Sequence, residues 1–233
     1  PNGTVSTLAG SGAPGDANGA GTAAQFSYPS YVAIDGGALY VVERGKNRVR
    51  KVMTAAGTVS TLAGNGAAGS ADGPGAEATF SEPRGIAAHL GNGYPTDGAP
   101  LQAAFRARIR RIKPDGTVST FVPAWVQGTT CCFDGRVGTA ALDLPGGLAV
   151  DAAGDLLVTY GGNLPAVRRI SRTEPEVSTL ASFPGTGSAQ DVAIDRNGNH
   201  YISVGSKVVK VSADGTVSTL AGSTSGFADG PGA

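Results

Sequence analysis

The phrase Thr4-Val5-Ser6-Thr7-Leu8-Ala9-Gly10 returns at residues 58–64, 117–121, 177–182 and 216–222. Its valines stand at 5, 59, 118, 177 and 217, so successive copies lie 54, 59, 59 and 40 residues apart. A period of that size is the mark of a solenoid or a propeller. Inside the phrase Val5, Thr7 and Ala9 alternate with Ser6, Leu8 and Gly10, the two-residue period of a strand. Three further strands precede it in each full copy. Residues 190–195, 200–204 and 207–211 read as three strands joined by turns at 196–199 and 205–206, and Ala213-Asp214-Gly215 then leads into the recurring phrase. The same order appears at 32–35, 38–42 and 48–52, and again at 148–151, 155–159 and 167–170. Four short antiparallel strands per unit, joined by Asp/Gly hairpins, describe one blade of an all-β β-propeller.

Composition agrees. Glycine (37) and proline (14) supply about a fifth of the 233 residues, and 40% are hydrophobic, enough to bury a core between many turns. Eighteen basic and eighteen acidic side chains cancel, which argues against a nucleic-acid binder or a polybasic membrane adherer. No apolar run approaches the roughly 18 residues of a spanning helix, and the first residues lack a charged-then-apolar leader pattern.

The run Pro145-Gly146-Gly147-Leu148-Ala149-Val150-Asp151, followed by 154–158, Val167-Arg168-Arg169-Ile170 and Val177-Ser178-Thr179-Leu180, resembles the NHL repeat. The VSTLAG phrase with its Gly-rich linker is similar to the subtype found in bacterial secreted and cell-surface NHL proteins. The resemblance covers the whole chain as one propeller domain, 1–233. It implies a non-catalytic extracytoplasmic module for binding, interaction or surface assembly, with a channel-sited metal-dependent lyase or hydrolase as the alternative.

The repeat loses phase twice. After Gly85-Ile86-Ala87-Ala88-His89 the text passes at 89–91 into what reads as a linker, and near 105–108 it jumps again, into a third strand. Counting the lone N-terminal phrase gives six units, which at this period need about 320 residues. The expectation is therefore a six-bladed propeller with segments absent at those two places, the alternative being four or five blades.

The linkers at 12–26, 66–80, 92–105, 128–144 and 223–233 share an Asp or Asn, glycines and small residues. Thr22 to Gln25 has the spacing of a capping box, which predicts a single helical turn that plugs Phe26 between blades. Asp72, Asp97, Asp134 and Asp229 each precede Gly and read as turn caps, with calcium as the alternative. Asp35, Asp151 and Asp195 close the inner strands and are expected to bond their own hairpins. The third-strand cations (Arg48, Arg50, Lys51; Arg108, Arg110, Arg111; Arg168, Arg169; Lys207, Lys210) read as an outward charged stripe. Binding residues are expected where inner strands begin (Tyr31, Arg84, Gln190) and in the least repeat-like linker (Trp125, Phe133), facing a protein, a glycan or a second copy. Adjacent Cys131 and Cys132 are loop thiols or a vicinal disulfide. His89 and His200 are the only imidazoles, and no phosphate loop, nucleophile elbow or paired-His helix is present, so neither a catalytic nor a metal constellation is assigned.

Overall fold

The computed structural model describes residues 3–98, 107–124, 134–138, 145–161, 164–173 and 176–223. Trp125, Phe133, Cys131, Cys132 and Asp229 lie outside them. Among the described residues every long element is a strand, and the strands form four antiparallel sheets, each a propeller blade. Contacts divide the chain into two compact units: Pro1–Ala99 with Ile109–Phe121, and Pro100–Arg108 with Val122–Ala233.

In the first unit, β1 (Gly19–Ala20) lies along the outer edge of the first blade, whose strands are β2 (Pro29–Asp35), β3 (Ala38–Glu43), β4 (Arg48–Met53) and β5 (Thr58–Ala63). The second blade comprises β6 (Ile86–His89), β7 (Asn92–Asp97), β8 (Arg108–Ile112) and β9 (Val118–Val122). The second unit repeats the plan. A linker strand β10 (Gly135–Arg136) edges the third blade, β11 (Pro145–Val150), β12 (Leu156–Tyr160), β13 (Ala166–Ile170) and β14 (Glu176–Ser182). The fourth blade is β15 (Ala189–Ile194), β16 (His200–Val204), β17 (Lys207–Val211) and β18 (Val217–Ala221). In every blade the recurring phrase is the outermost of the four main strands.

Among the described residues four blades stand where six are expected. The apparent gap at 89–91 is a hairpin: His89 faces Asn92, and Leu90 and Gly91 take φ of 49° and 75°, the double left-handed geometry of a tight two-residue turn. The strand thought missing is β7, whose Asn92-Gly93-Tyr94-Pro95 reads as loop because Gly and Pro are poor strand formers. The second jump falls partly outside the described residues, at 99–106. The lone N-terminal strand is also corrected, since residues 3–10 belong to no strand and Val5 is almost wholly exposed.

Each unit is held by an apolar layer between its own two blades. Tyr40, Val42, Val49 and Ala63 of the first blade meet Ile86, Ile112 and Val118 of the second, with Phe80 of the linker wholly buried among them. Leu157, Val167 and Ala181 of the third meet Val192, Ile202 and Val211 of the fourth, and Phe183 takes the corresponding place. The aromatic plug between blades is Phe80, not the expected Phe26. The residues before Phe26 do form a turn, a 3-10 element at Gly21–Ala23, but no side chain caps it. Phe26 packs within its own blade's apolar face, beside Val52 and Val59.

Candidate functional site

The third-strand cations are not one outward stripe. Arg50, Arg110 and Arg168, the third residue of β4, β8 and β13, are buried. Alternation puts their neighbours Lys51, Arg111 and Arg169 on the opposite face, and a buried guanidinium must find acceptors. Arg110 donates to Asp97 at 2.7 Å, Asp72 at 2.7 Å and the carbonyls of Ala71 (2.8 Å) and Thr79 (3.0 Å), with Phe80 5.2 Å beneath it. Arg50 repeats this with Glu43, Asn18 and the carbonyls of Ala17 and Gln25, above Phe26. Arg168 donates to Asp134 at 2.9 Å.

The linker aspartates are thus acceptors for the blade that follows rather than turn caps. Each of Asn18, Asp72 and Asp134 also receives the hydroxyl of the outer-strand threonine, Thr61, Thr120 or Thr179. The glycine after each one has φ between 137° and 151°, a conformation that L side chains rarely adopt, and pairs with the outer-strand valine. Desolvation pushes the Asp72 carboxyl up, but the Thr120 N–H and the Arg110 guanidinium outweigh it and hold it below the usual carboxylate range.

The inner-strand aspartates divide. Asp151 accepts from the N–H groups of Ala153 and Asp155, and Asp195 from those of Asn197 and Asn199, each within its own hairpin. Asp35 instead accepts at 2.6 Å from Gly91 N–H of the second blade, whose carbonyl receives the Tyr40 hydroxyl. Burial first, and Asp35 second, raise the Tyr40 phenol. The Asn199 amide, its backbone N–H and the Tyr201 hydroxyl hold the Asp195 carboxyl at about 2. Among the described residues no three His, Cys, Asp or Glu side chains converge as a metal site would require.

What stands free to meet a partner is the rim where inner strands begin. Phe26-Ser27-Tyr28-Pro29 and Phe80-Ser81-Glu82-Pro83 form the same turn twice. Ser27 N–H donates to Glu43 and Ser81 N–H to Asp97, so each turn is tied to the same acid that faces the buried arginine. The tie holds Tyr28 and Glu82 at φ of 49° and 47°, left-handed geometry that is costly for a side chain and more so before proline. Tyr28 is 79% exposed, and its ring lies close over Gly45, where a Cβ would strike it. Arg44 donates through Nε and Nη2 to Glu82 at 3.1 and 2.7 Å, and Arg84 stands 3.8 Å from the same carboxylate. Two half-exposed guanidiniums around one carboxylate leave a surplus positive charge beside an exposed ring. That arrangement suits a carboxylate, or a sugar face that stacks on the tyrosine.

Of the residues expected here, Arg84 lies in this cluster. Tyr31 is half-buried against the core between the first two blades, and Gln190 is exposed in the second unit, its carbonyl receiving the Thr159 hydroxyl. Tyr28, Arg44 and Glu82 escaped the sequence reading. The recurrence of Phe-Ser-x-Pro at 26–29 and 80–83 was the available signal for two of them.

No family model matches the chain, and no curated protein matches it. Among solved structures it is similar to a chain of the nidogen/laminin complex, with TM-score 0.60 and 16% identity over 83% of this chain and 65% of that one. It is also similar to an auxiliary nutrient binding protein from Bacteroides thetaiotaomicron, with TM-score 0.64 and 13% identity over 93% of this chain and 48% of that one. A gluconolactonase from Xanthomonas campestris gives TM-score 0.55 and 19% identity over 80% and 59%. The chain spans between about half and two thirds of these neighbours' lengths. At such identities the likeness carries the fold, and with the four repeated blades it establishes a β-propeller.

Proposed function

We propose that this protein is a non-catalytic, extracytoplasmic β-propeller of the NHL type that binds a protein or glycan at the rim of its first two blades. The observation that carries the reading is Tyr28, a bulky residue kept in costly backbone geometry and exposed beside Arg44, Glu82 and Arg84. Neighbours described as binding a nutrient or forming a laminin complex support a binding role, and the NHL-like phrases support the extracytoplasmic location. The test is an array of glycans, including uronic-acid polymers, and of peptides, probed with the wild type and with Tyr28→Ala/Arg84→Ala. Binding by the wild type that the double variant loses supports the reading; equal binding by both removes the rim from it. The gluconolactonase neighbour motivates one competing reading, a metal-dependent hydrolase, and turnover of an aldonolactone that requires added calcium would favour it.

A further inference from the structure

Gly45 does not take a positive φ, so its backbone alone would admit any residue. What keeps a side chain out is the ring of Tyr28, 2.6 Å from where a Cβ would stand, with the Ser27 hydroxyl at 2.8 Å. The ring therefore rests on the Arg44–Lys46 turn, while the residue stays 79% exposed. Its backbone is tied on both sides: the Ser27 N–H donates to Glu43, and the Arg44 N–H donates to the Tyr28 carbonyl. A large ring seated on one side and open on the other is a flat platform, and it gives up little freedom when a ligand covers it.

Arg84 stands beside this platform. Ser30, two residues after Tyr28, donates through its hydroxyl to the Arg84 carbonyl at 3.3 Å. Glu82 engages Arg44 through Nε and Nη2 at 3.1 and 2.7 Å, but it lies 3.8 Å from Arg84, beyond hydrogen-bond reach. Among the described residues no acceptor meets the Arg84 guanidinium, which is 47% exposed, and the Tyr28 hydroxyl has no partner either. An unengaged guanidinium is a planar fork shaped to hold a carboxylate through two parallel N–H bonds.

The surroundings of Tyr28 favour a sugar over a protein as the bearer of that carboxylate. Protein interfaces centre on clustered aromatic and aliphatic anchors in well-packed pockets. Tyr28 has no such company. Val32 and Ile34 lie four and six residues on, about 13 and 20 Å along an extended strand, and Met53 and Leu90 stand at the far, Asp35 end of the blades. The outer edge of the first blade, where a peptide could add as a strand, already carries β1. A single ring among charged groups suits a ligand with hydroxyls at its margin and a C–H face, which is the surface of a pyranose.

We propose that the rim of the first two blades binds a uronic-acid glycan, with a carboxylate on Arg84 and the C–H face of a sugar ring on Tyr28. The assignment rests on the rim being the binding face and names the class of ligand it takes. Glu82 limits the strength of the site, because it holds Arg44 away from the ligand.

The test is titration calorimetry with hexamers of galacturonate, mannuronate and glucuronate, each compared with its methyl ester, which keeps the ring and loses the charge. At least one acid should bind, and its ester should bind at least about tenfold more weakly. Arg84→Met should weaken the acid form about tenfold or more and leave the ester nearly unchanged, with Arg84→Lys recovering only part, since an ammonium has no fork. Tyr28→Asn, which tolerates left-handed geometry, should weaken both forms about three- to tenfold. Glu82→Gln should tighten the acid form about threefold by releasing Arg44, a gain that a packing role would not give. Thermal melts check that every variant remains folded. Binding by none of the acids, equal binding of acid and ester, equal binding of hexaglutamate, or no gain in Glu82→Gln would each overturn the uronate assignment. A neutral glycan or a protein whose binding Tyr28→Ala/Arg84→Ala abolishes would overturn it too, while keeping the rim as the binding face; a uronate whose binding no rim variant alters would remove the rim itself.

Discussion

Replacing Arg110 by Met removes the guanidinium from the centre of the second blade and leaves its methylene volume in place. Four acceptors lose their donor: Asp97, Asp72 and the carbonyls of Ala71 and Thr79. They do not count equally. Asp72 is half exposed and water replaces the lost partner, so its share is on the order of 0–1 kcal/mol. Asp97 is buried and loses its guanidinium partner, and breaking a buried ion pair costs about 3–5 kcal/mol. Its other partners, the Ser81 N–H among them, offset a part of that. The net expectation is a loss of roughly 4 kcal/mol, against a typical domain stability of about 5–15 kcal/mol.

A chain of two units need not unfold in one step, so the assay is hydrogen exchange by mass spectrometry through a urea series, read on peptides from 86–97 and 108–122. Arg110→Lys should lose nearly as much as Arg110→Met, since one ammonium cannot span acceptors on the strand, the linker and the turn. Adding Asp97→Leu to Arg110→Met deletes the stranded charge and should recover about 1–3 kcal/mol. A single-variant loss below about 1 kcal/mol, or no recovery in the double variant, would refute the account of these arginines as interior anchors.

Gly147→Ala sets a Cβ into the Asp191 side chain and backbone, and should destabilise the second unit by roughly 1–3 kcal/mol in thermal melts; a change under about 0.5 kcal/mol contradicts the close approach of β11 and β15. The Asp195 carboxyl is depressed to about 2, so its contribution is fully present above the unfolded value near 4 and disappears as pH falls from about 4 to about 2. An NMR titration finding Asp195 near 4 removes that prediction, as does an acid-unfolding curve that Asp195→Asn leaves unchanged over this window. Tyr28→Gly relieves the left-handed geometry and should gain about 0.5–1 kcal/mol while abolishing rim binding. If that variant is less stable by more than about 1 kcal/mol, the tyrosine is a packing residue and its exposure carries no function.

Much of the architecture could be read from the chain because outer strands repeat nearly verbatim and inner strands keep their two-residue alternation. β7 was lost for a local reason, a strand carrying Gly93 and Pro95, and with it went the blade count. The interior arginines were lost for a different one. Val49-Arg50-Lys51-Val52 and Ile109-Arg110-Arg111-Ile112 look alike whichever basic residue points inward, and charge alone argues for the outside. The acceptors that reverse the argument lie 32 residues upstream at Asn18 and 38 upstream at Asp72, beyond any local pattern. At the rim, no propensity scale announces that Tyr28 is left-handed. The bonds from Ser27 N–H to Glu43 and from Arg44 N–H to the Tyr28 carbonyl, which the fold closes, hold it there.

The fourth blade shows why the anchors exist. Its repeat is 40 residues rather than 54 or 59, and the shortening falls in the linker between Ser182 and Ala189, which has no Asp-Gly corner. The position of Arg50, Arg110 and Arg168 is there occupied by Val209, buried with its neighbours in the apolar layer of the second unit. Linker acceptor and interior arginine are thus present together in three blades and absent together in one. That covariation within a single chain is what an electrostatic clamp predicts: a buried guanidinium without its linker would cost several kcal/mol, and a linker aspartate without its guanidinium would have nothing to hold. A loop of some fifteen residues, rich in glycine, loses much backbone freedom when it lies down along an outer strand, about 1 kcal/mol or more per residue. Apolar contact from alanines and glycines cannot offset that, so the long linkers are fastened by charge, and the short one does without.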